Sequence, residues 1–303
     1  MTLDDGAMAR SVDPTDPVLA RLASRCTFPP VGTDVTCAVS GGADSTSLVA
    51  LALVAGLRVR AVHVDHGLRD GSDREAARVA AVLDAWDVPC RSVTASVEPG
   101  GDLEARARAA RMGALPEDAL FGHTADDQAE TVLLRVLRGT GPTGLAAMRG
   151  DRHPLLRLRR SDTRAVCEHL GVVPFEDPSN RDPRFTRNRV RRELLPLLAD
   201  IADRDVVPLL CRLAELSAEQ ADLLAALATT VDPTDASELA ATPAPVAAMA
   251  IRTWWVDVTR GPHPPDAAAV ARILDVAAGR SVGCDVVDGW AVRRTAGRLR
   301  LVR

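Results

Sequence analysis

Two short clusters of polar residues in this 303-residue chain have the composition of a phosphate-binding site. The first follows an apolar stretch and reads Ser40-Gly41-Gly42-Ala43-Asp44-Ser45. Adjacent glycines let an anion approach the backbone closely, and the N-terminus of a following helix adds partial positive charge. A carboxylate beside a phosphate needs a cation between them, so Asp44 is predicted to bind Mg²⁺. The alternative is an ordinary strand-to-helix turn in which Asp44 caps the helix.

The second cluster packs three carboxylates, Asp126, Asp127 and Glu130, into five residues, and His123 precedes them. Thr124 and Asp127 have the spacing of a helix capping box, which alone would account for Asp127. So many neighbouring acids destabilise a fold unless a cation or arginines neutralise them. We therefore favour Mg²⁺ binding by Asp127, together with Asp44, over a purely structural cap.

Each cluster lies where a predicted strand gives way to a helix. Residues 33–39 are apolar and β-branched and predict a buried strand, residues 45–54 a helix, and residues 58–66 a second strand. These three segments form a βαβ unit with a right-handed crossover. Later segments continue the α/β alternation, with predicted helices at 73–86, 102–115, 161–170 and up to 198, and predicted strands at 89–94 and 118–122.

The C-terminal third has a different pattern. It is rich in Ala and Leu and predicts helices at 205–229, 244–258 and 266–278. Residues 288–302 alternate in polarity around Ala296-Gly297 and predict a terminal hairpin. We therefore expect an α/β domain over residues 1–200 and a smaller helical domain over residues 201–303.

Charge is unevenly distributed along the chain. The net charge is −4, and all 37 Lys+Arg residues are arginines. Residues 135–192 contain 14 arginines and 6 acids, a net +8, which leaves −12 for the remainder. A basic middle in an acidic chain favours one surface that faces a polyanion. The alternative is a set of helices whose outer faces are solvated by arginine.

Cysteines and hydropathy indicate the compartment. The six cysteines are scattered and none forms a C-x-x-C pair, which is typical of reduced thiols. We find no basic start followed by an apolar run, and no apolar window of about 20 residues. The chain is therefore predicted to be a cytoplasmic protein.

The first cluster resembles the PP-loop of the N-type ATP pyrophosphatases, which cleave ATP between its α- and β-phosphates. Several further segments, in order and spacing over about residues 33–200, resemble the tRNA(Ile)-lysidine synthetases: VHVDHGLR, LEARARAARM, GHTADDQAET, RGTGPTGLAAM and EDPSNRDPRFTRNRVRRELLP. The family often has two histidines where this chain has His123-Thr124, so His123 is expected to be the only histidine there. The resemblance implies a doubly wound parallel sheet, Rossmann-like, with ATP at the carboxyl ends of the strands.

The resemblance also implies a two-step reaction on a tRNA(Ile) with a CAU anticodon. ATP adenylates the wobble cytidine and releases pyrophosphate, and the amine of free L-lysine then displaces AMP to form lysidine. A homodimer is compatible with this resemblance. Residues 62–64 would contact adenine through their backbone, with residues 65–67 as the rim.

Roles for individual residues follow from the same resemblance. The amides of residues 40–45 would hold ATP, and Asp44 and Asp127 would share Mg²⁺. Arg108 would add positive charge at the triphosphate, although it could equally pair with Glu104 on a helix surface. His123 or a nearby carboxylate, such as Asp127, Glu130 or Glu176, would help to deprotonate the incoming lysine or attract it.

Arg187, Asn188 and Arg191 are expected to contact the tRNA. Arg187 and Arg191 are one helical turn apart, a spacing suited to phosphate contacts. Three other classes remain open: a PP-loop tRNA thiolase, which usually uses paired cysteines or an iron–sulfur cluster; an amidotransferase-type synthetase, which needs an ammonia source; and a non-catalytic RNA-binding protein. The chain has no C-x-x-C pair, which speaks against a thiolase, and no visible glutaminase-like segment, which speaks against an amidotransferase-type synthetase. Asp44 and Asp127 are both present, which speaks against a non-catalytic protein.

Overall fold

The protein is described by a computed structural model over residues 9–65, 72–94, 113–175, 182–261 and 263–303. The chain forms two compact units, Met1–Ala214 and Glu215–Arg303. The division falls inside a single 22-residue helix, Val207–Ala228, rather than at the expected boundary near residue 200.

A parallel sheet is the centre of the first unit. Its strands lie in the order β1 (Asp34–Val39), β2 (Arg58–Asp65) and β3 (Cys90–Thr94), and Val39 is in register with His63. On the far side of β1, Leu120 donates its N–H to Thr36 at 2.8 Å and accepts from Ala38 at 2.9 Å. The strand predicted at 118–122 is thus a single bridging residue, and the predicted α/β parallel fold is confirmed.

The described part of this unit contains eight α-helices that lie wholly within it. They are α1 (Pro17–Ala23), α2 (Ala43–Val54), α3 (Ser72–Asp84), α4 (Ala125–Leu137), α5 (Pro142–Leu145), α6 (Arg160–His169), α7 (Thr186–Arg189) and α8 (Leu195–Ala202). Of these, α2 and α3 pack directly on the sheet. All of residues 45–52 in α2 are buried. Such all-round burial requires a helix that is apolar on every face, as STSLVALALV nearly is.

The helix predicted to run to residue 198 is interrupted. Between α7 and α8 the chain forms a five-residue π-helical turn, Val190–Leu194. Pro196 follows at the start of α8, and a proline has no N–H to donate to the preceding turn. A π-turn is one of the ways in which a helix accommodates such a loss.

The second unit combines helices with a small antiparallel sheet. Its elements are the C-terminal part of α9 (Val207–Ala228), α10 (Ala236–Ala241), α11 (Ala244–Thr259), α12 (Ala267–Ala277), β4 (Gly283–Asp285), β5 (Ala291–Thr295) and β6 (Arg298–Val302). The predicted hairpin is confirmed as β5–β6. The short elements α10 and β4 were not predicted. Ile251, Ile273, Val292 and Leu299 form the centre of its core.

Across the described ranges, no helix combines the length and the apolar character that crossing a membrane requires.

Candidate active site

The first polar cluster forms a tight turn between β1 and α2. Gly41 has a φ of 78°, in the left-handed region that suits glycine. The Ser45 hydroxyl accepts the N–H of Ser40 at 3.1 Å and donates to the carbonyl of Gly42 at 3.1 Å. Phe175 donates its N–H to the Gly41 carbonyl at 2.9 Å from the other side. The turn is therefore braced by the protein itself, and it places the anion-favouring end of α2 at the carboxyl end of β1.

Asp44 does not cap α2. The residue at the N-cap position is Gly42, which makes no side-chain capping bond. The Oδ1 atom of Asp44 instead accepts a hydrogen bond from the Thr163 hydroxyl on α6. Its Oδ2 atom lies 3.7 Å from Nε of Arg160. The capping alternative for Asp44 is therefore wrong, and its carboxyl group is held towards α6.

Gly122 brings the second cluster against the first. A Cβ atom at Gly122 would lie 2.5 Å from the carbonyl oxygen of Asp44 and 2.9 Å from the backbone nitrogen of Ser45. Both distances are shorter than the contacts that a Cβ atom makes in folded proteins, so only glycine fits here. The backbone at Gly122 is therefore in direct contact with the backbone of Asp44 and Ser45. The following residues, His123 and Thr124, consequently begin beside the turn that carries Asp44.

Asp127 uses its two carboxylate oxygens differently. Oδ2 accepts from both the backbone N–H and the hydroxyl of Thr124 at 2.9 Å, which is the capping box of α4. Oδ1 lies 2.7 Å from Nη2 of Arg160 and 3.5 Å from Nη2 of Arg187. Burial raises the pKa of Asp127, but the charges of Arg160 and Arg187 outweigh it and lower the pKa to about 2. The structural cap and the charged site thus coexist in one residue.

Arg160 connects the two aspartates, and no pattern in the sequence singled it out. Its guanidinium group contacts Asp127 at 2.7 Å, Glu130 at 3.2 Å and Asp44 at 3.7 Å. Despite this contact, burial and the nearby charge of Asp127 raise the pKa of Asp44 to about 6. Burial and the charge of Asp127 together therefore outweigh the contact of Asp44 with Arg160.

Thr163 lies one turn after Arg160 on α6 and supports the same carboxyl group. Its side chain is fully buried, and its backbone carbonyl accepts from the Ser47 hydroxyl of α2 at 2.8 Å. This contact fixes α6 against α2 next to Asp44. Thr163, like Arg160, could be identified only once the two helices were seen to pack.

Glu130 is fully buried and is surrounded by arginines. The Nε atoms of Arg191 and Arg187 lie 2.6 Å and 2.8 Å from its carboxylate, and Arg160 is the third partner. Arg187 and Arg191 therefore share one helix face, as their spacing indicates, and that face is turned towards the carboxylates. Asn188 is buried and donates to the Asp182 carbonyl at 2.8 Å. A contact of these three residues with tRNA stays a prediction.

The expectation of a single histidine in this region is wrong. His153 lies beside His123, and their Nδ1 atoms are 3.0 Å apart. The two residues are 30 positions apart in the chain, so only the tertiary structure brings them together.

Several predicted contributors fall outside the described residues. These are Arg108 with residues 102–112 of the predicted helix, residues 66–67 of the adenine rim, and Glu176. Their places in the site stay predictions.

The donor set at Asp44 and Asp127 fits Mg²⁺. Two carboxylates from separate strand–helix turns approach one cation, the guanidinium of Arg160. The raised pKa of Asp44 shows that further positive charge would be stabilised there. Within the described residues, no group of three or more His, Cys, Asp or Glu side chains is placed to hold a metal. A Mg²⁺ ion bound by one or two carboxylates usually completes its shell with phosphate oxygens and water.

The turn, the parallel sheet and the paired carboxylates define an ATP-binding protein of the PP-loop class. The family model of the PP-loop domain matches residues 18–198. A solved structure with a similar fold is the U34-tRNA thiolase NcsA from Methanococcus maripaludis with its [4Fe-4S] cluster. It has a TM-score of 0.51 and 13% identity over 65% of this chain and 77% of that one. At this identity the likeness concerns the fold alone.

Curated relatives narrow the class. The tRNA(Ile)-lysidine synthase of Nocardia farcinica is 41% identical over 89% of this chain and 92% of the relative. That of Thermobifida fusca is 44% identical over 66% of this chain and 67% of the relative. The chain belongs to the tRNA(Ile)-lysidine synthase family of PP-loop proteins, whose members are ATP-dependent ligases.

Proposed function

We propose that this protein adenylates the wobble cytidine of a tRNA(Ile) with a CAU anticodon and then attaches free lysine to form lysidine. The observation that carries the proposal is the contact of one guanidinium, that of Arg160, with Asp44 and Asp127 beside the PP-loop turn. The two carboxylates come from separate strand–helix turns. They lie where the phosphates of an ATP bound at the N-terminus of α2 would need neutralisation.

In the first step, the cytidine O2 attacks the α-phosphorus of ATP and pyrophosphate leaves. The amides at residues 40–45 hold the leaving pyrophosphate through the end of α2. Asp44 and Asp127 would hold Mg²⁺, which supplies charge neutralisation on the phosphate oxygens. Arg160 is already placed between these carboxylates and adds a fixed positive charge to the same site.

In the second step, the lysine amine displaces AMP from the activated cytidine. Lysine approaches as an ammonium ion and must lose a proton before it can attack. Asp127 and Glu130 provide negative charge to attract it, and His123 is the candidate base. Because Glu130 is already surrounded by Arg160, Arg187 and Arg191, an incoming cation has to compete with these guanidinium groups.

The basic stretch 135–192 provides the tRNA-facing charge, although part of that charge is used within the fold. Arg184 pairs with Asp182 and Arg189 with Glu193, and Arg159 contacts both Asp126 and Asp205. Exposed arginines such as Arg138 and Arg157 are better placed to meet phosphates. We extend the proposal to a cytoplasmic enzyme that takes free L-lysine and forms a homodimer.

The decisive experiment incubates the protein with labelled lysine, ATP, Mg²⁺ and a tRNA(Ile) transcript. We expect lysine to become attached to the tRNA, with AMP and pyrophosphate formed in equal amounts. A transcript with uridine at the wobble position is the control and should stay unlabelled. Sulfur incorporation in place of lysine would instead identify a thiolase, and tRNA binding without pyrophosphate release would identify a non-catalytic binder.

A further inference from the structure

His123 and His153 form a directly bonded pair. Their Nδ1 atoms are 3.0 Å apart, their ring centroids are 4.8 Å apart, and their planes are inclined by 67°. The pairing is set by the backbone, because the N–H of Phe121 donates to the carbonyl of Arg152 at 2.9 Å. That bond aligns the segment before His123 with the segment before His153.

The surroundings of the pair are partly aromatic. The Phe121 ring lies 5.7 Å from His123 and 5.6 Å from His153, centroid to centroid. The guanidinium of Arg152 lies over the same ring, 5.2 Å from its centroid, and its Nε donates to the Ala119 carbonyl at 3.3 Å. The carboxylate of Asp127 is the charged group on α4 that interacts with His123 through space.

A hydrogen bond between two Nδ1 atoms restricts the tautomers. When both rings are neutral, one Nδ1 carries the proton and the other accepts it. The donating ring then has an unprotonated Nε2, which can act as a base, and the accepting ring carries its proton on Nε2. Such a bond orients one imidazole and fixes its tautomer, as a carboxylate does for the histidine of a catalytic triad.

In the His123–His153 pair, the chain neighbours of His123 contact Asp44 and Asp127, the proposed Mg²⁺ ligands. Gly122, directly before His123, is in backbone contact with Asp44 and Ser45. Thr124, directly after it, is bonded to Asp127. His123 therefore lies in the chain between a residue in contact with the backbone of Asp44 and a residue bonded to the carboxylate of Asp127.

We infer that His153 is a positioning residue for His123 in the lysine-transfer step, an inference that rests on the proposed function. His123 donates its Nδ1 proton to Nδ1 of His153, which leaves Nε2 of His123 as the base. The lysine ammonium gives one proton to this Nε2, and the amine forms the N–C bond at C2 of the adenylated cytidine. The C2–O bond then breaks, AMP leaves with the bonding electrons, and the nitrogen of the new N–C bond loses its second proton to solvent. His123 finally returns its proton to solvent.

The tautomers can be read independently of activity. In protein labelled with ¹⁵N at histidine, long-range ¹H–¹⁵N spectra distinguish Nδ1–H from Nε2–H rings, and single His→Ala variants assign the signals. We expect His123 as the Nδ1–H form in the wild type and a change to mixed tautomers in His153→Ala. An Nε2–H form of His123 in the wild type, or unchanged spectra in His153→Ala, would overturn the inference even if lysidine is formed.

Kinetics test the consequence. We expect His153→Ala to slow lysine-dependent AMP release about 10- to 100-fold, within the range of general-base effects, with less than a twofold change in lysine-independent pyrophosphate release. His153→Asn, whose amide can accept at the place of Nδ1, should restore most of the rate. His263→Ala, an exposed histidine of the second unit, is the control.

Two kinetic outcomes oppose the inference. Equal loss in both steps would indicate a structural role for His153, and no loss in either step would remove it from the reaction. A wild-type protein that binds tRNA but never incorporates lysine would count against the proposed function, while the spectra would still report on the pair.

Discussion

Asp44 and Asp127 contact the same guanidinium, at 3.7 Å and 2.7 Å, yet their pKa values are displaced in opposite directions. Burial and the charge of Asp127 raise the pKa of Asp44 to about 6. Burial acts the same way on Asp127, but the charges of Arg160 and Arg187 lower its pKa to about 2. The negative charge at Asp44 is thus the one that an added cation would stabilise most.

Removing either carboxylate should stop the first step. We expect Asp44→Ala and Asp127→Ala to abolish tRNA-dependent pyrophosphate release, because each removes a proposed Mg²⁺ ligand, while tRNA binding stays within a few-fold of the wild type. Pyrophosphate release and filter binding measure the two properties. Asp118→Ala is the matched control, because Asp118 is an exposed aspartate. Normal adenylation by either variant would refute its metal role.

The two aspartates should give stability profiles of opposite sign. The lowered pKa of Asp127 means that its charge stabilises the fold above about pH 4, and that this contribution is lost as the pH falls towards 2. The raised pKa of Asp44 means that its ionisation destabilises the fold progressively from about pH 4 to pH 6. Each effect is on the order of 2 kcal/mol.

Denaturant unfolding as a function of pH measures both effects. The free energy of unfolding of Asp44→Asn, relative to the wild type, should increase as the pH rises from about 4 to about 6. That of Asp127→Asn should decrease relative to the wild type as the pH rises from about 2 to about 4. Parallel profiles for the two variants would contradict the opposite electrostatic environments.

Arg160 should contribute both charge and geometry. We expect Arg160→Ala to slow pyrophosphate release about 100-fold, the scale of losing one fixed electrostatic group. Arg160→Lys should recover only part of the rate, because a single ammonium cannot contact Asp44, Asp127 and Glu130 at once. Arg300→Ala, at an exposed position of the second unit outside the basic stretch, is the comparison. Equal rates in Arg160→Ala and Arg300→Ala would exclude Arg160 from the site.

The tRNA contact predicted for Arg187 and Arg191 can be separated from their internal role. If they bind phosphates, Arg187→Ala and Arg191→Ala should each weaken tRNA binding and reduce the slope of log K against log salt by roughly 0.7 to 0.9. If they only neutralise Glu130, the slope should stay at the wild-type value and the unfolding midpoint should fall. Arg138→Ala is the positive reference, because Arg138 is an exposed arginine of the same stretch that is proposed to meet phosphates and its loss should reduce the slope.

The close approach at Gly122 gives a steric prediction. We expect Gly122→Ala to reduce both the unfolding midpoint and pyrophosphate release, because its Cβ would lie 2.5 Å from the Asp44 carbonyl oxygen. Gly113→Ala is the matched control, since no atom lies within 4 Å of a Cβ there. Identical behaviour of the two variants would argue against the backbone contact.

Local patterns were sufficient for the central βαβ unit and for both polar clusters. The alternation of apolar strand, glycine turn and helix predicted β1, α2 and β2, because strand and helix periods are properties of neighbouring residues. The capping box of Thr124 and Asp127 was readable for the same reason, since it spans four consecutive positions.

Contacts between distant segments were not readable. The capping alternative for Asp44 was wrong because its carboxyl group accepts a hydrogen bond from the hydroxyl of Thr163, more than one hundred residues away. The sequence by itself determined which chemical groups the site contains. The packing of α6, α7 and the following π-helical turn decided which charges meet, placing Arg160, Arg187 and Arg191 at the carboxylates. The backbone bond between Phe121 and Arg152 placed His153 beside His123. These distances depend on how the chain folds back on itself, and residue spacing carries no information about them.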